Sequence, residues 1–184
     1  MSIILQPSLT LEELAQRSLK RDPVAQRQLY EQLSPKMLAI CCRYIGSKET
    51  AKDVMHDGFI MMFEKLGSFS GVGSFEGWVR RIIVNTALSH LRKADALKYS
   101  EQVDQMRPHS LVAFDEFEKI SSKDILKCIA NMPSGFRTIF NLFAIEGYPH
   151  KEIAQLLRIS ESTSRSQYAR ARYWLQEKLK QDQI

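Results

Sequence analysis

A carboxylate pair with a histidine between its members is the first candidate for chemistry in this chain. Asp53 and Asp57 lie one helical turn apart, and His56 stands beside Asp57. Carboxylate and imidazole groups can hold a metal ion, but a metal site needs further ligands that converge on it. The neighbouring sequence offers no such ligand. The three residues therefore fit a solvated helix face better than a metal site.

Cationic side chains gather in two segments, residues 76–98 and 161–180. The charged residues there are Glu76, Arg80, Arg81, Arg92, Lys93, Asp95 and Lys98 in the first, and Glu161, Arg165, Arg170, Arg172, Glu177, Lys178 and Lys180 in the second. Each segment carries an excess of three positive charges. This excess suits a polyanion such as nucleic acid, although a solvated cationic face has the same composition.

The second cationic segment belongs to a predicted helix-turn-helix. A first helix carries apolar residues at helical spacing, namely Ile153, Ala154, Leu156 and Leu157. The break at 158–160 ends in Ser160, a favourable N-cap for a second, basic helix. A helix of this kind can enter the major groove of DNA. The alternative is an ordinary helical hairpin with a cationic surface.

Composition places the chain among ordinary globular proteins. It has 184 residues, a net charge of +5, 44% hydrophobic and 26% charged residues, which suits one domain or two small ones. Its three cysteines lack zinc-site spacing and indicate free thiols in a reducing compartment. The chain shows no secretory signal and no apolar run of membrane-spanning length. We expect a cytoplasmic protein without membrane insertion.

Helical signals dominate the N-terminal half. Asp22-Pro23 and Ser34-Pro35 each predict a helix start, and Gly46 predicts a C-cap. An apolar stripe at helical spacing follows: Ala51, Val54, Met55, Gly58, Phe59, Met62, Phe63 and Leu66. Ser74 predicts the N-cap of a helix over about 75–93. Its core face is predicted to hold Phe75, Val79, Ile82, Ile83, Thr86, Ala87 and His90, with Arg81, Asn85, Leu88 and Arg92 opposite.

We predict an all-α fold of two small helical domains, 1–94 and 123–184, joined by a flexible acidic linker at 95–122. The stretch 99–122 carries a net charge of −3, contains Pro108 and has weak periodicity. Two further amphipathic segments, separated by Pro133-Ser134, precede the helix-turn-helix. The second domain is therefore predicted to be a four-helix unit.

Two blocks of residues then resemble a known family. The first contains Ala51-Lys-Asp-Val-Met-His-Asp-Gly-Phe59, Phe75-Glu-Gly-Trp-Val-Arg-Arg-Ile-Ile-Val-Asn85 and Leu91-Arg-Lys93. The second contains Met132-Pro133, Glu146-Gly147, Glu152-Ile-Ala154 and Arg170-Ala-Arg172. In this order and separation they resemble the extracytoplasmic-function (ECF) group of the sigma-70 family of RNA polymerase sigma factors. No domain separates the two blocks, as is usual for that group.

The resemblance implies a role for each block. Asp53, His56 and Asp57 would bind the clamp helices of core RNA polymerase. Residues for melted −10 DNA would be Phe69, Ser70, Arg80, Arg81, Asn85, Arg92 and Lys93. Residues for the −35 duplex would be Arg137, Lys151, Ser162, Thr163, Arg165, Ser166, Ala169 and Arg170. The sequence departs from the family pattern at Ser89, at Arg158, where Gly is common, and at 162–164, where Ser-Thr-Ser replaces the usual Gly-Thr-Val.

The resemblance also implies a set of partners and excludes catalysis. Core RNA polymerase, promoter DNA and an anti-sigma factor are the expected partners of a chain that is monomeric when free. No cofactor, metal or catalytic residue is expected, and the protein would not be an enzyme. Two alternatives are a conventional helix-turn-helix regulator that binds duplex DNA without polymerase, and a metal-dependent nucleic-acid enzyme. The first lacks a ligand pocket or dimer helix in the N-terminal block, and the second lacks metal ligands.

Overall fold

A computed structural model describes residues 9–93 and 122–181 of the chain. Within these two ranges every regular element is helical, which confirms the predicted all-α class. The helices are α1 (Leu11–Leu19), α2 (Pro23–Ile45), α3 (Lys48–Glu64), α4 (Phe75–Lys93), α5 (Ser122–Asn131), α6 (Ser134–Phe140), α7 (His150–Leu157) and α8 (Glu161–Gln181). A 3₁₀ turn (Leu66–Ser68) follows α3, and a π-helical turn (Asn141–Ile145) follows α6.

The described residues divide into two compact units. The first comprises 9–41 and 47–90, and the second comprises 42–46, 91–93 and 122–181. The end of α2 thus groups with the second unit. The predicted linker lies outside the described residues apart from Ser122, which begins α5. The domain boundaries at 94 and 123 stay predictions.

The core of the first unit contains the predicted stripe of α3. Ala51, Val54, Met55, Gly58, Phe59 and Met62 are buried there. Packing is closest at Gly58, where an added Cβ would lie 2.4 Å from Cδ1 of Ile83 in α4. Helix α4 has the predicted bounds, and Ser74 Oγ accepts a hydrogen bond from the Gly77 amide at 3.0 Å. The capping signal therefore places α4 correctly.

The predicted helix start at Ser34-Pro35 is wrong, because α2 continues through Pro35. Proline removes the amide that would bond to the carbonyl of Glu31, four residues earlier. Both residues are exposed, so water can satisfy that carbonyl. The apolar face of α2 meanwhile remains continuous on both sides of the proline through Leu29, Leu33 and Met37, all buried. Burial of this face outweighs the local start signal.

Two further features of the first unit differ from the sequence analysis. Leu88 was predicted on the outer face of α4 but is only 1% exposed, since Val84, Leu88 and Leu91 widen the buried arc of this helix. Helix α1 was not predicted, although Thr10 and Glu13 form a capping box at its start. This helix also supports α4, because Glu12 Oε1 accepts a hydrogen bond from the Phe75 amide at 3.4 Å.

The second unit contains the predicted four-helix arrangement, α5 to α8. Its apolar core is formed by Cys128, Ile129, Met132, Phe136, Phe140, Ala171, Leu175 and Leu179. Helices α7 and α8 form the helix-turn-helix. Arg158 in the turn adopts the left-handed conformation (φ 57°, ψ 44°), and Ser160 Oγ caps α8 by accepting from the Thr163 amide at 3.0 Å. The predicted break and N-cap are confirmed.

Candidate functional site

The outer face of α3 presents the acidic triplet. Asp53, His56 and Asp57 are all exposed, on the side of the helix opposite the buried stripe. His56 is held from α2, where the hydroxyl of Tyr30 lies 2.9 Å from its Nε2 and the two rings stack with centroids 6.1 Å apart. The carboxylates are thus displayed to solvent, while the imidazole is oriented by a neighbour.

Ile60 extends this face and was missed by the sequence analysis. Its side chain is 57% exposed, one helical turn after Asp57. A single exposed apolar side chain is normal on a protein surface, and here it adds apolar area to a face that is otherwise charged. The sequence does indicate this exposure, because Ile60 is an apolar residue outside the i, i+3, i+4 register of the buried stripe.

The loop before α4 is organised by an aromatic cluster. The ring of Phe69 lies 5.2 Å from that of Phe75 and 5.5 Å from that of Trp78, measured between centroids. Ser70 is exposed. Val72, also missed by the sequence analysis, is 85% exposed between Gly71 and Gly73, which both have positive φ. The signal was an apolar residue flanked by two glycines. The cluster anchors one end of a loop that presents an apolar tip.

Helix α4 carries the predicted polar residues on its outer side. Arg81, Asn85 and Arg92 recur at helical spacing, and Arg80 and Lys93 flank them; all five are exposed. Arg92 belongs to the second unit, where its Nη1 donates to the carbonyl of Leu156 at 3.1 Å. The arrangement provides guanidinium and amide donors of the kind that bind phosphates and base edges.

The start of α8 presents a row of hydrogen-bonding side chains. Ser162, Arg165 and Ser166 are exposed on one side at i, i+3, i+4 spacing, and half-buried Ala169 continues the row. Local bonds order this row: Ser160 Oγ lies 2.8 Å from Ser162 Oγ and 2.7 Å from Thr163 Oγ1. Arg165 forms an exposed ion pair with Glu161. Lys151 is also exposed, and Arg170 is half-buried.

Arg137 differs from the other residues predicted for −35 DNA because it is only 8% exposed. Its guanidinium donates to the carbonyls of Ala130 and Tyr44, the latter at 3.1 Å. Burial lowers the pKa of Arg137 below its ordinary value. The structure therefore places this residue in the interior of the second unit and not on its outer surface.

Two features that are absent from the described residues bear on the alternatives. No three His, Cys, Asp or Glu side chains in 9–93 and 122–181 are grouped so that they could hold a metal ion. Over the same part of the chain, no helix has the length and apolar character needed to cross a membrane.

Comparison with known proteins matches two family models to the chain. Sigma-70 region 2 matches residues 29–96, and Sigma-70 region 4 matches residues 122–175. The RNA polymerase sigma-H factor of Pseudomonas aeruginosa is 28% identical over 88% of this chain and 89% of its own length. The ECF RNA polymerase sigma-E factor of Haemophilus influenzae is 26% identical over 93% and 96%, and that of Escherichia coli K12 is 27% identical over 89% and 91%.

A solved structure of a sigma factor shares the fold. The sigma factor RpoE of Bartonella quintana, in complex with the anti-sigma factor NepR, superposes with a TM-score of 0.53 and 21% identity over 84% of this chain and 96% of RpoE. The order of the two sigma-70 regions and the relatives that span nearly the whole chain define its class. The chain belongs to the ECF group of the sigma-70 family.

Proposed function

We propose that the protein binds core RNA polymerase and directs promoter-specific initiation, reading the −35 element as duplex and the −10 element as melted DNA. The observation that carries this proposal is the row Ser162, Arg165 and Ser166 at the start of the second helix of a helix-turn-helix. The first residues of such a helix contact base edges in the major groove. The chain itself needs no catalytic group, because the polymerase makes the phosphodiester bond.

The outer face of α3 is proposed to bind the polymerase. Asp53 and Asp57 supply charge that orients a basic partner surface, and exposed Ile60 supplies apolar area that is buried on docking. His56 takes part with its ring held by Tyr30. This combination suits a protein partner better than a nucleic acid, since carboxylates repel phosphates.

The loop before α4 and the outer side of that helix are proposed to bind melted −10 DNA. Arg80, Arg81, Asn85, Arg92 and Lys93 supply donors for the strand backbone and its bases. Phe69 and Ser70 border the loop, and the exposed tip at Val72 can contact an extruded base. A base outside the stack is recognised by its face and its edge together.

The α8 row is proposed to read the −35 duplex. Arg165 is the natural partner of a guanine, while Ser162, Thr163 and Ser166 offer hydroxyls to bases or phosphates, with Ala169 and Arg170 farther along α8. Lys151 is exposed at the start of α7 and can contact phosphate directly. Arg137 could contact phosphate only by giving up its bonds to the carbonyls of Tyr44 and Ala130.

The structural relative RpoE is bound by an anti-sigma factor, and we propose that this chain too is held inactive by such a protein. Its place of action is the cytoplasm, where the polymerase and the chromosome are.

Reconstitution with core polymerase tests the proposal. Run-off transcription from genomic DNA, followed by sequencing of the transcripts, should give 5′ ends behind a shared pair of elements only when the protein is added. Absence of added-protein-dependent initiation would refute the proposal. Tight binding of duplex DNA without polymerase, and no binding to polymerase, would instead support a conventional regulator.

A further inference from the structure

His150 connects three parts of the second unit through its ring. It is the first residue of α7, and its Nδ1 lies 2.9 Å from Oγ of Ser164 in α8. The ring stacks on Phe143 of the π-helical turn, with centroids 4.2 Å apart and planes inclined by 12°. The ring of Tyr168 in α8 lies 5.8 Å away, also between centroids. One imidazole thus bridges the two helices of the helix-turn-helix.

Ser164 makes this bridge specific. It is 0% exposed, and an unpaired hydroxyl at such a position carries a desolvation cost. The bond with His150 satisfies that hydroxyl.

The bridge lies directly behind the proposed reading row. Thr163 and Arg165 flank Ser164 in sequence, and Ser162 and Ser166 lie two residues away on the exposed side of α8. The placement of Ser164 against His150 therefore fixes both the rotation and the distance of this part of α8. Hydrogen bonds to base edges weaken steeply with small errors of distance and angle. Fixing the buried side of α8 at Ser164 therefore also fixes the exposed side that carries the reading row.

Charges around the imidazole are consistent with a neutral bridge. Burial lowers the pKa of His150 first, and Arg165 lowers it further, while Glu161 opposes both effects. The ring is therefore mainly neutral at pH 7, and it can stack on Phe143 without a cost of burying charge.

We propose that His150 is a positioning residue for −35 recognition: its bond to Ser164 holds the reading row of α8 at the distance and angle that base contact requires. This inference rests on the proposed function of α8, because it concerns how accurately that helix reads DNA. The residue does not contact DNA in this proposal.

Four variants of the full chain, assembled with core polymerase, test the inference. His150→Asn places an amide atom near the position of Nδ1 and keeps the bond, whereas His150→Gln places its amide near Nε2 and loses it. Ser164→Ala removes the hydroxyl, and the fourth variant combines His150→Gln with Ser164→Ala. The probe is the −35 duplex that wild-type holoenzyme selects from a randomised library. The readout is a ratio: the initiation rate from the selected duplex divided by the rate from duplexes that differ from it by one base pair.

We expect His150→Gln and Ser164→Ala each to lower this ratio about tenfold, the scale of one lost buried hydrogen bond. The double variant should be no worse than either single variant, since all three remove one shared interaction. His150→Asn should retain the ratio, and polymerase binding should stay unchanged in all four. A purely structural role would lower the melting temperature and reduce initiation at every duplex equally.

An unchanged ratio in both His150→Gln and Ser164→Ala, strictly additive losses in the double variant, or equal loss in His150→Asn would overturn the inference. If His150→Gln fails to fold, Ser164→Ala with its smaller change decides. If wild-type protein shows no −35-dependent initiation, the proposed function fails instead. Hydrogen exchange then still decides the bridge: faster exchange of amides 162–166 in Ser164→Ala supports it, and wild-type exchange rejects it.

Discussion

The outer faces of α3 and α8 carry different chemistry, although each lies opposite a buried stripe of the same helix. The α3 face combines Asp53 and Asp57 with exposed Ile60, and the α8 face combines serine hydroxyls with Arg165. Carboxylates beside an apolar side chain suit a protein surface, whereas hydroxyls and a guanidinium suit base edges and phosphates. The two faces are therefore proposed to bind different partners, and substitutions should separate their effects.

Arg165→Ala is expected to have the largest effect. Loss of a bidentate contact to guanine should reduce discrimination at one −35 base pair by about 1–3 kcal/mol and leave polymerase binding unchanged. Initiation from the selected duplex and from its single-base-pair substitutions measures this difference. Lys178→Ala, an exposed cation near the end of the same helix, is the matched control and should affect all duplexes alike. A uniform loss for Arg165→Ala would make it a phosphate contact.

Asp53→Ala combined with Asp57→Ala should produce the reverse pattern. We expect affinity for core polymerase to fall about tenfold, which corresponds to about 1.4 kcal/mol, because complementary charge at the docking face is lost. Unfolding by urea should stay close to wild type, since both carboxylates are exposed. The control removes two carboxylates from other helices, Glu31→Ala in α2 with Glu177→Ala in α8. Equal loss in the control would show that net charge matters and not this face.

Gly58→Ala tests the inner face of the same helix. The new Cβ would meet Cδ1 of Ile83 at 2.4 Å, and Ile83 is 0% exposed, so its side chain can shift only against other core residues. Overpacking costs about 1–3 kcal/mol, and alanine regains about 1 kcal/mol of helix propensity. We expect a net loss of about 1 kcal/mol in the free energy of unfolding, measured in urea.

The matched control is Gly67→Ala, whose Cβ would lie 3.8 Å from Leu19 in ordinary contact. It should leave stability unchanged. If Gly58→Ala is equally neutral, the Ile83 side chain shifts without cost, and the contrast between the two faces of α3 weakens.

Local signals in the sequence account for much of the fold and for the exposure of the candidate residues. Ser74 and Ser160 each placed a helix start correctly, because a capping hydroxyl acts within three residues of the backbone it satisfies. Ser34-Pro35 gave the same kind of signal and was misleading, since the buried stripe of α2 continues past it. A helix-start signal therefore fails where burial of a longer apolar face determines the extent of the helix.

Other features depend on groups brought together from different parts of the chain. The sequence analysis assigned Leu88 to the outer face because it lies outside the single apolar stripe that helical spacing defines. Helix α4 is buried over a wider arc than that stripe, so Leu88 is buried as well. The pairing of His150 with Ser164 requires the turn between α7 and α8 to have its actual geometry. The sequence predicts Arg137 to be a phosphate-binding cation. Its hydrogen bonds to the carbonyls of Ala130 and Tyr44 depend on the folded structure and cannot be predicted from the sequence.

The smallest expected effect concerns the turn of the helix-turn-helix. Arg158 holds φ at 57°, a conformation that costs a residue with a Cβ about 1–2 kcal/mol and that glycine adopts freely. Arg158→Gly should therefore stabilise the second unit, but by only about 0.5 kcal/mol, because glycine also gains freedom in the unfolded chain.

The reciprocal variant is Gly147→Ala, at φ +77° with nothing within 4 Å of its new Cβ, so backbone strain alone should destabilise it. Urea unfolding should move these two variants in opposite directions while −35 discrimination stays constant, since neither side chain belongs to the reading row. A change in discrimination for Arg158→Gly would mean that the arginine itself contacts DNA, and the α8 surface would then extend into the turn.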